Sequence, residues 1–444
     1  MTDTLVGIPV EERISRLLGH LGIEQAHFAA RVPRDWQAFA QTHPQSVASL
    51  TLLCPRASDN RTLRALGSRL LLVTGDQGKD AEDLRRGLEH LPHAAVVTLE
   101  DYLVGTATDL AADRTDDIGN AMLEFLARID PDRKVQRMSA PEGEGEVAGI
   151  LYRVQGSGPP LILFPLQYSA SQWDHLLPRL SQSYCTITVG GANVGPIFSL
   201  ETRAKGGYLE AVEKVVDAAR LEPGEKVLDV GCGPGSLDRW LAHRTGKANP
   251  ITGLDPSTYL LGEAAAMVRN EGLEGVVEFR EGSGDSLPFP DRSFDLAMSF
   301  TVMQYVDADQ MIREMMRVIK PGGRVAVLAR GDDQPNIINA PMRAELKAKA
   351  EFQRSERFNE LGCNDASLYR RFHQAGLTQV KMFPQLAIFT ASSDSARLED
   401  MHDRIVPTLT AEEAEEYRTA VAQAQADGSF FLAEVFHCAV GTKP

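Results

Sequence analysis

The residues whose types and spacing can do chemistry gather between positions 229 and 305. Val227-Leu228-Asp229-Val230 reads as a short buried strand that runs straight into Gly231-Cys232-Gly233-Pro234-Gly235, and residues 236–243 follow as a helix. A strand, a glycine loop and a helix in this order bring bare backbone up to a ligand at the carboxyl end of a parallel sheet. The second strand, 250–254, ends at Asp255, 20 residues beyond Gly235. A carboxylate there can accept both hydroxyl protons of a ribose. Taken alone, these two features fit NAD binding as well, because a glycine pattern by itself discriminates weakly. The NAD pattern wants its third glycine three residues after the second, where Ser236 stands. The G-x-G-x-G found here suits a ligand without a pyrophosphate.

Three further segments narrow the choice. They are EGSGDSLPFPDRSFD at 281–295, a strand LAMSF at 296–300, and EMMRVIKPGGRVAVL at 314–328. With VLDVGCGPG and GLDPS, they resemble the class I S-adenosylmethionine-dependent methyltransferases, in the small-molecule group that includes ubiquinone and menaquinone biosynthesis. The resemblance covers about 200–444. It implies an α/β, Rossmann-like sheet and S-adenosyl-L-methionine as cofactor. It also implies roles. Gly231, Gly233 and Gly235 would pass under the methionine part, and Asp229 would anchor the loop and face the amino group. Asp255, followed by Pro256, would hold the ribose hydroxyls. The family usually places an acid where Ser283 stands, to accept the adenine amino proton; beyond Gly284, Asp285 is placed to compensate. Phe300 and Thr301 would line the sulfonium pocket, and Tyr208 would cover the cofactor.

Methyl transfer is an in-line displacement, so an enzyme has chiefly to align the nucleophile and exclude water. The resemblance assigns substrate contacts to 300–306, to an insertion at about 331–375, and to about 201–208. The family often shows a His pair after the fourth strand; this chain has Gln304-Tyr305. Gln304 can orient a substrate or a water but is no base at pH 7. Tyr305 can orient, titrate with help, or simply pack. Both are weak catalytic candidates, and no residue is assigned as a general base. Asn336, Asn339, Arg343 and Arg354 suit a polar substrate, or equally a solvated helix face. Cys232 reads as a small buried residue. Met298, Met303, Met311, Met315 and Met316 read as core, with Met303 placed to face substrate, and His373 reads as part of an amphipathic helix end.

The elements that must position these groups are legible from periodicity. Residues 207–220 place Leu209, Val212, Val215, Val216 and Ala219 on one stripe, and Pro223-Gly224 stops that helix. Pro321-Gly322-Gly323 reads as a turn feeding a strand at 324–329. The last two strands, 380–391 and 430–441, enclose a second helical stretch at about 395–427. AEEAEEY at 411–417 reads as an exposed helix start.

Upstream, 48–55 and 69–75 read as buried parallel strands, with 94–99 as a weaker third and helical patterns such as 81–90 between them. Residues 22–55 resemble the α/β-hydrolases around their nucleophile elbow. That elbow is G-x-S-x-G, but here it is Ala30-Arg31-Val32-Pro33-Arg34, with Val32 in the nucleophile position. Asp76 falls near the family's acid, and no histidine follows in 95–130. Residues 148–190 resemble the beginning of the same family, with Phe164-Pro165 replacing the His-Gly of the oxyanion loop. The expected organisation is therefore a degenerate, permuted hydrolase-like region, late half (1–130) first. A linker at 131–147, centred on SAPEGEGEV, and an early half at 148–200 follow, and then the methyltransferase region at 201–444.

Composition bounds the rest. The chain has 444 residues, 43% hydrophobic and 24% charged, as in ordinary globular domains. A net charge of -15 repels phosphate backbones, so no nucleic-acid partner is expected. The five cysteines, Cys54, Cys185, Cys232, Cys363 and Cys438, form no C-x-x-C pair, which argues against a metal site or disulfides and for a reducing cytoplasm. The first residues lack a signal-peptide pattern, and no apolar run is long enough for a bilayer. Three readings follow: a cytoplasmic small-molecule methyltransferase fused to an inactive hydrolase-like region, a non-catalytic S-adenosylmethionine-binding scaffold, or an active hydrolase-methyltransferase fusion. The complete glycine loop with Asp255 favours the first. Uncovered sheet edges in permuted halves point to a homodimer.

Overall fold

The computed structural model describes residues 9–31, 33–55, 60–103, 109–133, 135–138, 142–352, 359–390 and 395–444. The chain divides into two compact units, Met1–Phe198 and Ser199–Pro444.

The first unit holds β1 (Ala26–Ala30), β2 (Val47–Leu53), β3 (Leu70–Gln77), β4 (Ala95–Leu103), β5 (Gly143–Val147), β6 (Ile150–Gln155), β7 (Pro160–Leu163) and β8 (Cys185–Gly190). They form one eight-stranded sheet in the order β4-β3-β2-β1-β7-β8-β6-β5. Neighbours are parallel from β4 to β8; β6 runs antiparallel to β8, and β5 to β6. Alternate residues feed two apolar layers. Phe28, Leu50, Leu52, Leu72 and Ile162 enter one, and Ala29, Leu53, Leu71, Val73, Leu161 and Leu163 the other. Burial on both faces explains why these strands are continuous apolar runs without a polar alternation.

One expectation changes here. Gly143–Val147, read as linker, is strand β5, joined to β6 through Ala148 (φ 51) and Gly149 (φ 76). Two successive positive φ values make the tight hairpin turn that suits strand twist. The Gly and Glu content reflects an edge strand in which Tyr152 lies over Gly145, where a Cβ would meet the tyrosine hydroxyl at 2.5 Å. The other end of that stretch, 131–133, closes the helix Thr115–Arg133. Residues 1–130 and 148–200, read as two halves of one region, meet in this sheet where β1 pairs with β7, Phe28 against Ile162.

The second unit holds β9 (Val227–Val230), β10 (Ile251–Asp255), β11 (Val277–Glu281), β12 (Phe294–Phe300), β13 (Ile319–Arg330), β14 (Ile337–Ile338), β15 (Thr378–Phe389) and β16 (Leu432–Thr442). Its order is β11-β10-β9-β12-β13-β16-β14, with β15 also paired to β16. β9 to β13 are parallel, and β16 is antiparallel to β13. The strand order reverses between β9 and β12, so a crevice opens at their carboxyl ends. The helix Gly206–Ala219 buries Val212, Val215, Val216 and Ala219 and ends at Arg220 in the left-handed region. Pro321-Gly322-Gly323 lies within β13, with Gly322 at φ 78. Met303, read as core or else as facing substrate, is fully buried in the apolar layer with Met311 and Met315. Among the described residues no helix is long and apolar enough to cross a membrane.

Candidate functional site

The glycine loop leaves β9 and enters the helix Ser236–Arg244 with Gly231 at φ 83, Gly233 at φ 57 and Gly235 at φ 71. Two of these glycines are needed for packing. A Cβ at Gly231 would meet Val302 at 2.3 Å, and one at Gly235 would meet Phe279 at 2.6 Å. Gly233 differs, because its Cβ direction is open and only Leu200 comes within 4.0 Å.

Asp255 ends β10 and ties the loop down. Its Oδ2 accepts from the Gly233 amide at 2.9 Å and its Oδ1 from the Ser257 amide at 2.9 Å. Each oxygen keeps a lone pair for a further donor. Burial holds this carboxyl above its ordinary value despite those two amides. Pro256 is exposed beside it, and Ser257 caps the next helix by accepting from the Leu260 amide. Asp229 is buried, and its Oδ1 has no hydrogen-bond partner among the described residues. A buried carboxylate oxygen left unpaired is costly, so this atom calls for a donor.

The remaining candidates surround these groups. The Ser283 hydroxyl donates to Asp285 Oδ1 at 2.6 Å, so the serine orients the nearby acid. Gly284 is buried between Val230 and Met311. Phe300 packs in the apolar layer with Tyr208. Thr301 sits at φ 57, with its Oγ1 3.1 Å from the buried Tyr208 hydroxyl and 3.3 Å from Arg203 Nη1. Burial pushes Tyr208 up, so its hydroxyl stays neutral. Cys232 is buried, and its thiol is raised by burial and then by the three carboxylates of Asp238, Asp229 and Asp255, which suits an inert side chain. A groove of about 450 Å³ between Thr258 and Phe279 lies on the outer side of β11 and holds none of these groups.

Residues 228–327 match the family profile described as a methyltransferase domain. A ubiquinone/menaquinone biosynthesis C-methyltransferase UbiE from Vibrio campbellii is 30% identical over 186 residues, 42% of this chain and 68% of that protein. The chain belongs to the S-adenosylmethionine-dependent methyltransferases. The family's cofactor is S-adenosyl-L-methionine. Methyltransferase GfsG from Streptomyces halstedii is 39% identical over 130 residues, 29% of this chain and under half, 46%, of that protein.

In the methyltransferase unit the three expected substrate-bearing segments meet. The Asn359 amide donates to the Gln304 carbonyl at 3.2 Å, the Cys363 amide to the Met303 carbonyl at 3.0 Å, and the Ala308 amide to the Leu361 carbonyl at 3.2 Å. The insertion therefore lies across the end of β12. Gln304 is buried and its Oε1 has no partner among the described residues, whereas Tyr305 is 44% exposed. The polar residues offered from the insertion are used elsewhere. The Asn339 side chain donates to the Ser429 carbonyl and Arg343 pairs with Glu416, while Asn336 is held through its backbone N–H, which donates to the Glu351 carbonyl. Arg354 lies outside the described residues. His373 is exposed and stacks edge-on with Tyr369.

The first unit holds a cluster that sequence reading missed. Register sets His27 beside Ser49 on adjacent strands. His27 Nδ1 lies 2.7 Å from Ser49 Oγ and Nε2 lies 2.8 Å from Asp130 Oδ1, while the Tyr184 hydroxyl donates to Asp130 Oδ2 at 2.7 Å. The carboxylate selects the tautomer with hydrogen on Nε2, so Nδ1 accepts from the serine. Ser49 and His27 are both 0% exposed, so no substrate reaches this chain of bonds. Asp76 accepts from the Tyr102 and Asp101 amides, which hold it below its ordinary value as a clasp between β3 and β4. Val32 lies outside the described residues, and the preceding Arg31 is buried and donates to Gln167.

Proposed function

We propose that the protein transfers a methyl group from S-adenosyl-L-methionine to a small molecule. The observation that carries this reading is the cradle made by Gly233, with its open face, and by Asp255, whose Oδ2 ties the loop while both oxygens keep lone pairs free. Asp255 would hold the ribose hydroxyls, with Pro256 at the rim. Asp229 would meet the ammonium group, and Ser283, Gly284 and Asp285 would take the adenine edge. Phe300, Thr301 and Tyr208 would flank the sulfonium end. When bound, the cofactor supplies a methyl group on a positively charged sulfur. The chain's own work is then to orient the nucleophile and exclude water. The buried Gln304 amide suits that task, since its unpaired Oε1 can accept from a substrate donor. The exposed apolar side chains of Tyr305 and Leu361 suit a substrate with an apolar body.

The first unit we read as an inactive, permuted hydrolase-like scaffold. Counted from Gly143 and returning to β1, its strands run in sheet order first, second, fourth, third, fifth, sixth, seventh, eighth. That near-sequential order supports a permuted chain. Arg31 at the elbow and Asp76 as a clasp support the loss of its chemistry. We also propose that the exposed edges of this sheet serve a homodimer. β4 leaves Val96 40% and Leu103 58% exposed, apolar surface that a second copy would cover.

Calorimetry tests the cofactor site. Losing a charge-assisted ribose contact costs roughly 1.5–3 kcal/mol per hydrogen bond. Asp255→Ala should therefore weaken S-adenosyl-L-methionine binding by at least about tenfold. Unchanged affinity would place the ribose elsewhere. A screen of metabolites with labelled methyl donor separates catalysis from mere binding.

A further inference from the structure

The glycine loop is flanked by two carboxylates, of which only Asp229 entered the sequence reading. Asp238 is the third residue of the helix that Gly235 opens. Asp229 is 3% exposed and Asp238 1%. Both Asp238 oxygens, like Asp229 Oδ1, lack a hydrogen-bond partner in any other of the described residues. The groups around them compound the problem. Asp255 adds a third carboxylate from β10, and neither the Cys232 thiol nor the Tyr208 hydroxyl carries a compensating charge. Arg239 adjoins Asp238 and its charge lowers that carboxyl, but burial outweighs it, and the guanidinium makes its hydrogen bonds to Glu201, Glu271 and the Pro234 carbonyl.

Two desolvated carboxylates that feel each other cannot both ionise; one keeps a proton. We propose that Asp229 and Asp238 share one proton in the ligand-free protein, and that this proton is released to solvent when the ammonium group of S-adenosyl-L-methionine docks against the pair. The inference rests on the cofactor reading above. The balance is simple. One carboxyl O–H bond breaks, the proton passes to water, and the ligand's ammonium, still protonated, supplies the positive charge in its place. Asp238 is thereby a cofactor-binding residue, and the pair makes the site selective for a cation.

The direction of the pH dependence follows. Burial first and Asp238 second hold Asp229 well above the ordinary carboxylate range, and burial raises Asp238 as well, to about 7. A proton that must leave on binding weakens affinity as pH falls. Affinity should drop close to tenfold per pH unit below neutrality. Above it the affinity levels, until the ligand's own ammonium, with a pKa of about 8, begins to lose its proton.

The experiment is titration calorimetry of the full chain with S-adenosyl-L-methionine at mildly acidic pH, in phosphate and in bis-tris. The two buffers differ in ionisation heat, so the difference counts protons. We expect close to one proton released, the same count with S-adenosylhomocysteine, which shares the ammonium, and a clearly smaller count for Asp238→Asn, in which burial and Asp255 alone act on Asp229. Difference infrared spectroscopy of the unmodified chain should show a protonated-carboxyl band lost on binding, a readout that stands even where the variant does not fold. Binding with no proton released overturns the shared proton but leaves the cofactor reading intact. An undiminished count in Asp238→Asn, or a proton released by S-adenosylmethionine alone, overturns the assignment. No binding at all overturns both readings.

Discussion

Thr301 closes β12 with a β-branched side chain in the left-handed region, at φ 57. Such a conformation costs of order 1–3 kcal/mol and persists only where surroundings impose it. Here the Thr301 amide donates to the Leu328 carbonyl at 2.7 Å, and its hydroxyl meets Tyr208 and Arg203. Thr301→Ala keeps the strain and loses the hydroxyl, so it should destabilise the protein by about 1–2 kcal/mol. Thr301→Gly loses the same bonds but relaxes the backbone, so it should cost less. Urea midpoints of the two variants check the order; an alanine variant more stable than glycine would show that backbone strain is absent. At this scale the sequence was informative where chemistry depends on local spacing. Asp229, the glycines and Asp255 lie at intervals that a strand, loop and helix impose. Asp238 escaped because an acid in the first turn of a helix reads as an ordinary partner of the helix dipole. Its consequence depends on a second carboxylate on the preceding strand, across the loop. Met303 stayed open between core and substrate, since a position after a strand does not reveal which way the side chain turns; it is core.

The elements of the first unit are held by more than apolar layers. β1, β2 and the helix Thr115–Arg133 are joined through Ser49, His27 and Asp130. His27→Leu would leave the Ser49 hydroxyl buried and Asp130 short of a donor. The fully buried Ser49 hydroxyl left unsatisfied costs about 1–3 kcal/mol, seen as a fall in melting temperature, while Asp130, partly exposed, keeps its bond from Tyr184. A change under about 0.5 kcal/mol would show that the bonds are incidental. The sign of the pH effect is also fixed. Burial alone would raise Asp130, but the bonds from His27 and Tyr184 outweigh it and hold the group below its ordinary value. The stability it contributes is present above the ordinary carboxylate range and is lost as pH falls through it. No sequence pattern announces this cluster, because its members lie 22 and 103 residues from His27. The β5–β6 hairpin was hidden differently. Its composition is that of a linker, and only the register with β6 makes it a strand.

The whole chain joins a methyltransferase unit with its own eight-stranded sheet to a first unit whose sheet is built from two stretches of chain. On the homodimer reading, light scattering of the full chain should give twice the 48.5 kDa chain mass, and residues 199–444 alone should be monomeric or insoluble. A soluble, monomeric, fully active truncation would make the first unit a dispensable appendage. The pairing of Phe28 with Ile162 has a bearing on synthesis. Its partners are 134 residues apart, so β1 emerges from a ribosome long before β7 exists. At about 5–20 residues per second the wait is about 7–27 s. Through that interval β1 to β4 present a nascent sheet with one apolar strand unpaired, a template for other unfinished chains. Holding factors that bind exposed strands, and codon choice that hastens residues 100–165, would govern how much of this protein a cell recovers.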